Sequence, residues 1–291
     1  MRISDRSFYN QNRSSLAKSR GDLAAAQSKA TSGKRVEKPS DDPLAASLAT
    51  KHRAREQHLR ANLKAIDAGK AKVDTQDTVL GDAADRLRRA QELAIQGAND
   101  PMDPDDRRAI AIEISSIRET IIGLANTQDP DGYVFAGYRS DAPAFDAAGV
   151  YQGDANVPSF DTGNGTRVEA GVTGLTAFDA GGPNDVFAVL SDLETALNAD
   201  DGPGIAATID RLNQAHETVV YARADVGGGQ AALDAAKTIA ERMRDDAIEA
   251  QTSLVAIDET EAYVDLQQTR NAYEAAVRIA SQIPPQGLVS R

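Results

Sequence analysis

The stretch IAATIDRLNQAHETVVYARADVGGGQAALDAAKTIAERMRDDAIEAQTSLVAI, residues 205–257, decides the fold. One position repeats every seven residues as Ile205, Leu212, Val219, Val226, Leu233, Ala240, Ala247 and Leu254. Three residues further on, the companion row reads Thr208, Ala215, Ala222, Gly229, Ala236, Met243, Ala250 and Ile257. A heptad held in one register this long predicts a long helix with a coiled-coil seam.

A second seam lies upstream, with Ile66, Val73, Leu80, Leu87 and Ala94 in one row and Gly69, Gln76, Ala83, Ala90 and Gly97 in the other. Each seam pairs a large row with a small one, so the two helices are expected to approach closely and pack on each other. Prolines agree: none falls within 44–100 or 204–283, and proline breaks helix interiors. Eighty residues of helix span about 120 Å at ~1.5 Å per residue, so a rod is expected. Three consecutive glycines, 227–229, interrupt the second seam. They signal either a kink or a close contact.

A third helix is expected over about 104–127, with Asp103 as cap, Pro104 in the first turn and Ile110, Ile114, Ile117, Ile121 and Leu124 buried. Asp42 before Pro43 opens the first long helix in the same way. A shorter helix around 185–198 shows Val186, Leu190, Leu193 and Leu197. Between them, 131–184 turns rich in Gly, Asp and Pro. The pieces YVFAGY, GVYQGD and TRVEAGVTGLTAF read there as short strands joined by turns. The expected fold is mainly α: a coiled-coil or helical-bundle rod from the N- and C-terminal segments, with a small inserted β domain. Three parts follow: 1–42 with 258–291 as a terminal helical segment, 43–130 with 185–257 as the rod, and 131–184 as a β-rich insert.

The ends differ from the middle. Leu16, Leu23 and Ala30 make one thin stripe, and Leu266, Thr269, Tyr273, Ala276, Ala280 and Ile283 make another. Such stripes offset little of the ordering cost of ~1–2 kcal/mol per backbone residue. The two ends are therefore expected to pair, and to order fully only within an assembly. Phe8, Leu16, Leu23, Leu266, Tyr273 and Ile283 are the expected assembly residues.

Composition excludes several classes. Aromatics are 4% of the chain and Trp is absent, which suits narrow helix seams rather than a wide core. Without cysteine, disulfides and thiolate metal sites are ruled out. The net charge of −12 hides a basic arm, but its cations (Arg13, Lys18, Arg20, Lys29, Lys34, Arg35, Lys38) are spaced singly without interleaved aromatics, which argues against nucleic acid. Neither a signal-peptide core nor an apolar run near ~18 residues is present, so no membrane partner is expected. The carboxylates Asp100, Asp103, Asp105 and Asp106 lack EF-hand spacing, and helix capping explains them better than Ca²⁺. The adjacent Asp41 and Asp42 read as a turn and a cap. His52, His58 and His216 stand in no ligand array, and neither a nucleophile elbow nor a phosphate loop occurs. No enzymatic activity, catalytic residue, cofactor or metal is expected.

Specific residues then add to the pattern. The segment Ser32-Gly33-Lys34-Arg35-Val36-Glu37-Lys38-Pro39-Ser40-Asp41-Asp42-Pro43 resembles the N-terminal signature of the flagellin superfamily. Its turn Lys38, Pro39, Ser40, Asp41, Asp42, Pro43 looks like that of the hook-associated protein 3 family rather than of flagellin itself. Leu124-Ala125-Asn126-Thr127, then Gly132-Tyr133-Val134-Phe135-Ala136-Gly137, and Tyr151-Gln152-Gly153-Asp154 add to the likeness, which runs to about Ile283. The ending Pro284-Pro285-Gln286-Gly287-Leu288-Val289-Ser290-Arg291 departs from the Leu-rich tail common in the family. The resemblance implies a structural subunit of the bacterial flagellum, an adaptor at the hook–filament junction. It implies a ring of subunits with hook-associated protein 1 on the hook side and flagellin on the filament side. It also implies flagellar type III export to the cell exterior without a cleaved signal peptide, and a cytoplasmic chaperone beforehand. A divergent or minor flagellin is the alternative within this class.

Overall fold

The computed structural model describes residues 2–99, 102–161, 165 and 167–282, with side-chain surroundings from Asn10 onward. The helices are α1 (Arg2–Ser32), α2 (Pro43–Gly97), α3 (Pro104–Ala125), α4 (Gly174–Ala177), α5 (Val186–Asn198), α6 (Gly202–Val255) and α7 (Glu259–Gln282). The strands β1 (Gln128–Asp129) and β2 (Gly132–Tyr133) form one antiparallel hairpin; β3 (Ser159–Asp161) and β4 (Arg167–Glu169) form the other. The fold is mainly α, as the heptads predict. Two compact units share these elements: residues 58–243, and residues 1–57 with 244–291.

In the 58–243 unit, the large rows of both seams are buried. Ile66, Leu80 and Leu87 on α2, and Leu212, Val219, Val226 and Leu233 on α6, are all sealed from solvent. A ladder of polar bridges runs beside this seam. Arg223 meets Asp77 at 2.7 Å, Gln230 donates to Asp74 at 2.7 Å, Lys70 pairs with Asp234, and Lys237 meets Asp67 at 2.7 Å. Numbers fall along α2 as they rise along α6, so the helices run antiparallel. Exposed pairs of this kind contribute only about 0–1 kcal/mol each. Their main effect is register, while the buried aliphatics, at about 1.5–3 kcal/mol each, supply the stability.

Asp103 caps α3 by accepting the N–H of Asp105 at 3.0 Å, and Pro104 occupies the first turn. Ile110, Ile114, Ile117 and Ile121 are buried as expected. Leu124 is only half-buried, and Ala125, one residue on, takes the buried place. This face packs on α5, where Val186, Leu190, Leu193 and Leu197 are all enclosed. Asp185 caps α5 through the N–H groups of Phe187 and Ala188.

The segment between α3 and α5 carries little regular strand. TRVEAGVTGLTAF yields strand only at Arg167–Glu169 and then becomes the short helix α4. The helical turn lets Ala177 and Phe178 reach the core, where Phe178 meets Phe135, Phe145 and Phe187 with ring centroids 5.5–5.6 Å apart. Because Phe187 lies on α5, this segment shares its core with the helices.

The three glycines do not break α6, which is helical throughout 202–255. A Cβ on Gly229 would lie 3.1 Å from the Cα of Ala170, whereas Gly227 and Gly228 face open space. The small position at 229 therefore admits the backbone that follows β4. A second enclosure of the same kind is at Gly69, where a Cβ would meet the Phe160 ring at 2.6 Å.

Candidate assembly surface

Two polar side chains organise the 58–243 unit, and both lie inside helix-bundle faces. Gln76, fully buried in the small row of its seam, donates to the carbonyls of Val134 at 2.7 Å and Val172 at 2.8 Å. Its carbonyl oxygen accepts the Val172 N–H at 3.0 Å. One side chain thus fastens the start and the end of the inserted segment to α2. Arg107, also buried, donates to the carbonyls of Gly97 (2.9 Å) and Asn99 (3.0 Å) and pairs with Asp200. It joins the α2–α3 connection to the α5–α6 turn. Tyr151 donates to the carbonyls of Phe135 and Asp154, and burial, then the nearby Asp154 charge, pushes its phenol up to about 12.

In the other unit the sequence-predicted terminal stripes come together. α1 packs on α7. On α1 the inward residues are Asn12, Leu16, Ser19 and Leu23, half-buried, and Ala26, buried; Ala30 is exposed. On α7 they are Ala262, buried, then Leu266, Thr269, Tyr273, Ala276 and Ala280, half-buried. Leu16, Leu23, Leu266 and Tyr273 therefore face a partner helix of the same chain without being sealed. The side chain of Phe8, and Ile283, lie outside the described residues.

The signature turn sits where α1 gives way to α2. Gly33, at φ +67°, ends α1, and its N–H bonds back to the Lys29 carbonyl at 2.9 Å. A left-handed glycine at this point is the usual helix stop. Asp41 accepts the N–H groups of Lys38 (2.8 Å) and Glu37 (3.1 Å), closing the turn through Pro39 and Ser40. Asp42 accepts the Ala45 N–H at 2.9 Å, which caps α2, and takes Arg35 at 3.1 Å on its other oxygen. Pro43 fits the first helical position, where a missing N–H costs nothing. Glu37 accepts from Ser32 at 2.6 Å and from Ser28 at 2.9 Å. All three carboxyls are held below their usual range: Asp41 by the Lys38 and Glu37 amides, Asp42 by the Ala45 amide and then Arg35, Glu37 by the serines.

Opposite this turn, α6 stops and α7 starts, so the proline-free interval 204–283 is two helices and not one. Lys34 bridges Ala256 in antiparallel fashion; the Arg35 N–H donates to the Val255 carbonyl at 2.7 Å, and the Ile257 N–H donates to that of Gly33 at 3.1 Å. Arg35 also donates to the Leu254 carbonyl at 3.1 Å, and Val36 is buried. Asp258 caps α7 through Thr260 and Glu261. The signature residues thus clip two helix breaks side by side. Sequence reasoning missed the second break, although Asp258-Glu259-Thr260-Glu261 carries the capping-box spacing that marks it. It also passed over Arg107, whose signal was a cation in a first turn, against the helix dipole.

Among the described residues no group of His, Cys, Asp or Glu is arranged to hold a metal, and no helix is long and apolar enough to cross a membrane. What the arrangement offers is packing surface: a clipped pair of terminal helices with half-open seams.

Comparison with known proteins agrees with this geometry. Residues 3–140 match the model of the bacterial flagellin N-terminal helical region. The flagellar hook-associated protein 3 of Escherichia coli K12 is 31% identical over 252 residues, 78% of this chain and 79% of that protein. The Salmonella typhimurium protein of the same name is 33% identical over 183 residues, 62% of this chain, and the match spans only 57% of that relative. A solved structure of a Vibrio parahaemolyticus protein, described as flagellar hook-associated, superposes with TM-score 0.67 at 20% identity, covering 74% of this chain and 100% of that one. These relatives are structural proteins of the flagellum. With a relative above 30% identity aligned over most of both chains, and with the helical fold in common, the chain belongs to the flagellar hook-associated protein 3 family.

Proposed function

We propose that the chain is an adaptor subunit at the hook–filament junction. In this reading it meets hook-associated protein 1 on one side and flagellin on the other and closes into a ring of its own copies. The observation that carries it is the contrast in burial between the two units. The seams of 58–243 are sealed, as an independent core requires, whereas the α1/α7 seam leaves Leu16, Leu23, Leu266 and Tyr273 part-open. Half-covered leucines realise only part of the ~1.5–3 kcal/mol that full burial gives. Further helices packed on the pair supply the rest, which is what axial assembly does. Phe8, Leu16, Leu23, Leu266, Tyr273 and Ile283 are the proposed assembly residues. Residues 1–42 with 258–291 form the assembly segment, 43–130 with 185–257 the helical body, and 131–184 the insert. Lys38, Pro39, Ser40, Asp41, Asp42 and Pro43 hold the joint and make no partner contact of their own in this scheme. The protein reaches the cell exterior through the flagellar type III channel, with its terminal helices guarded by a cytoplasmic chaperone.

The test is deletion of the gene, with electron microscopy of the cells and an assay for flagellin in the medium. Bare hooks with flagellin lost to the medium support the reading. Normal filaments on the deletion strain refute it and favour a minor flagellin.

A further inference from the structure

Gly227 and Gly228 weaken α6 without a packing reason. Both are exposed, and a Cβ at either would meet open space. Each nevertheless destabilises a helix interior relative to alanine, because glycine loses the most backbone freedom on ordering. Gly229 alone is required by a neighbour, the Ala170 backbone. Apart from Gly202 and Gly204 in the first turn, α6 contains no other glycine. The weakness is concentrated in a single turn.

That turn sits at a particular level of the 58–243 unit. Arg89 of α2 meets Glu113 of α3 at 2.9 Å, and the connection between these helices is short, so α3 runs back along α2. Twelve residues beyond Glu113, α3 ends at Ala125, level with Asp77. On one side of this level α2 and α6 share a core with α3 and α5, and Gly97 is enclosed there by Leu197, Ile110 and Ile205. On the other side α3 has ended, and the inserted segment takes its place through Phe160 at Gly69 and Ala170 at Gly229. The glycines fall where the helical support thins.

Two bridges splint the weak turn. Arg223, before the glycines, binds Asp77 through Nε at 2.7 Å and an Nη at 3.2 Å. Gln230, after them, donates to Asp74 at 2.7 Å. Both tie α6 to a stretch of α2 that has no glycine between Gly69 and Gly81. The inserted segment touches the same place, because Gly229 abuts Ala170 while Gln76 of α2 holds Val172.

We propose that glycines 227–229 are a hinge built into α6. The turn unwinds and recloses while α2 stays wound beside it, so residues 230–243 of α6 swing without the four-helix core coming apart. Helix bends concentrate at such weak points, and local opening draws on the least stable part of an element. The bridges of Arg223 to Asp77 and of Gln230 to Asp74 hold the straight state. Opening loosens α6 from Ala170, which passes the movement to the inserted segment. The hinge belongs to the single chain and stands whether or not the junction reading holds.

The chain has no cysteine, so a pair of spin labels can be placed without interference. Gln214→Cys/Ala235→Cys puts them at exposed positions of α6 on either side of the glycines. A straight helix separates these positions by about 32 Å. Pulsed electron paramagnetic resonance reads the distance distribution in the full-length chain on three backgrounds: otherwise unchanged, with Gly227→Ala/Gly228→Ala, and with Asp74→Ala/Asp77→Ala. Amide exchange is followed on the same three backgrounds without the labels. Expected is a shorter, broad component beside the straight one, lost in the alanine pair and enlarged when the two carboxylates are removed. Protection of amides 228–232 is expected to lie below that of Leu212 and Val219, to rise on the order of tenfold in the alanine pair, and to fall severalfold without the bridges. One narrow distribution common to all three backgrounds overturns the proposal, as does protection at 228–232 equal to that of the flanking turns. Slower exchange in the alanine pair with an unchanged distance distribution overturns it too, since that reports helix propensity without bending.

Discussion

Replacing Gln76 by Leu keeps the side-chain volume at a fully buried position and removes three hydrogen bonds at once. The carbonyls of Val134 and Val172 and the N–H of Val172, bonded to Gln76 at 2.7, 2.8 and 3.0 Å, are left facing an aliphatic chain. A typical hydrogen bond contributes about 0.5–1.5 kcal/mol net, and each buried group left unsatisfied costs about 1–3 kcal/mol. Some relaxation of the loop brings the expected loss to about 2–4 kcal/mol. Because the chain has two compact units, the loss is best read locally, from amide exchange at Val172 and its neighbours, together with thermal unfolding followed by near-ultraviolet circular dichroism. Gln76→Glu adds a sign. Its carboxylate accepts the Val172 N–H but confronts two carbonyl oxygens, so it is held protonated and its folded pKa rises. Destabilisation is then larger at pH 7 than at pH 4. A loss below about 0.5 kcal/mol with unchanged exchange at Val172 would refute the claim that this glutamine fastens the insert to α2.

Other outcomes follow from the same contacts. Gly227→Ala and Gly228→Ala, both facing open space in a helix interior, stabilise by up to about 1 kcal/mol each, whereas Gly229→Ala gains nothing or loses stability because its methyl group meets Ala170 at 3.1 Å; chemical denaturation of the three variants checks this. Leu16→Ser with Leu23→Ser removes about 1–2 kcal/mol of half-buried surface per site, so helix signal falls by the share of α1 and α7 while the 58–243 unit melts unchanged. Asp41 and Asp42 have depressed folded pKa values, so their contribution is complete above the unfolded value near 3.8 and is lost as pH falls through the lower folded ones. Acid titration between pH 5 and 2 is therefore expected to loosen the α1–α2 turn, seen as faster exchange at Lys38 and Ala45, and Asp41→Asn with Asp42→Asn is expected to exchange faster already at pH 7.

Much of the fold was legible because the seams are periodic. Leu80, Leu87, Leu212 and Leu233 recur at a spacing that only a helix places on one side, and the capping aspartates at 42 and 103 stand immediately before prolines. Other features are set by contacts distant in sequence. The strand pattern of 167–178 gave way to helix at α4 because Phe178 is drawn into a cluster with Phe135, Phe145 and Phe187, and local alternation carries no trace of that pull. The break at 256–258 is fixed by main-chain bonds to Gly33 and Arg35, more than two hundred residues away. Gln76 stood in plain view within the small row, but its role depends on where residues 134 and 172 arrive. The thin stripes on the terminal helices were visible in the sequence, and the structure brings Leu16 and Leu23 of α1 against α7, where Leu266 and Tyr273 face inward.

The most direct measurement is immunogold electron microscopy of intact flagella, using an antibody raised against the inserted segment, residues 131–184. The account predicts label at a single position on each flagellum, where the curved hook meets the filament. Label distributed along the filament would contradict it and make the chain a flagellin.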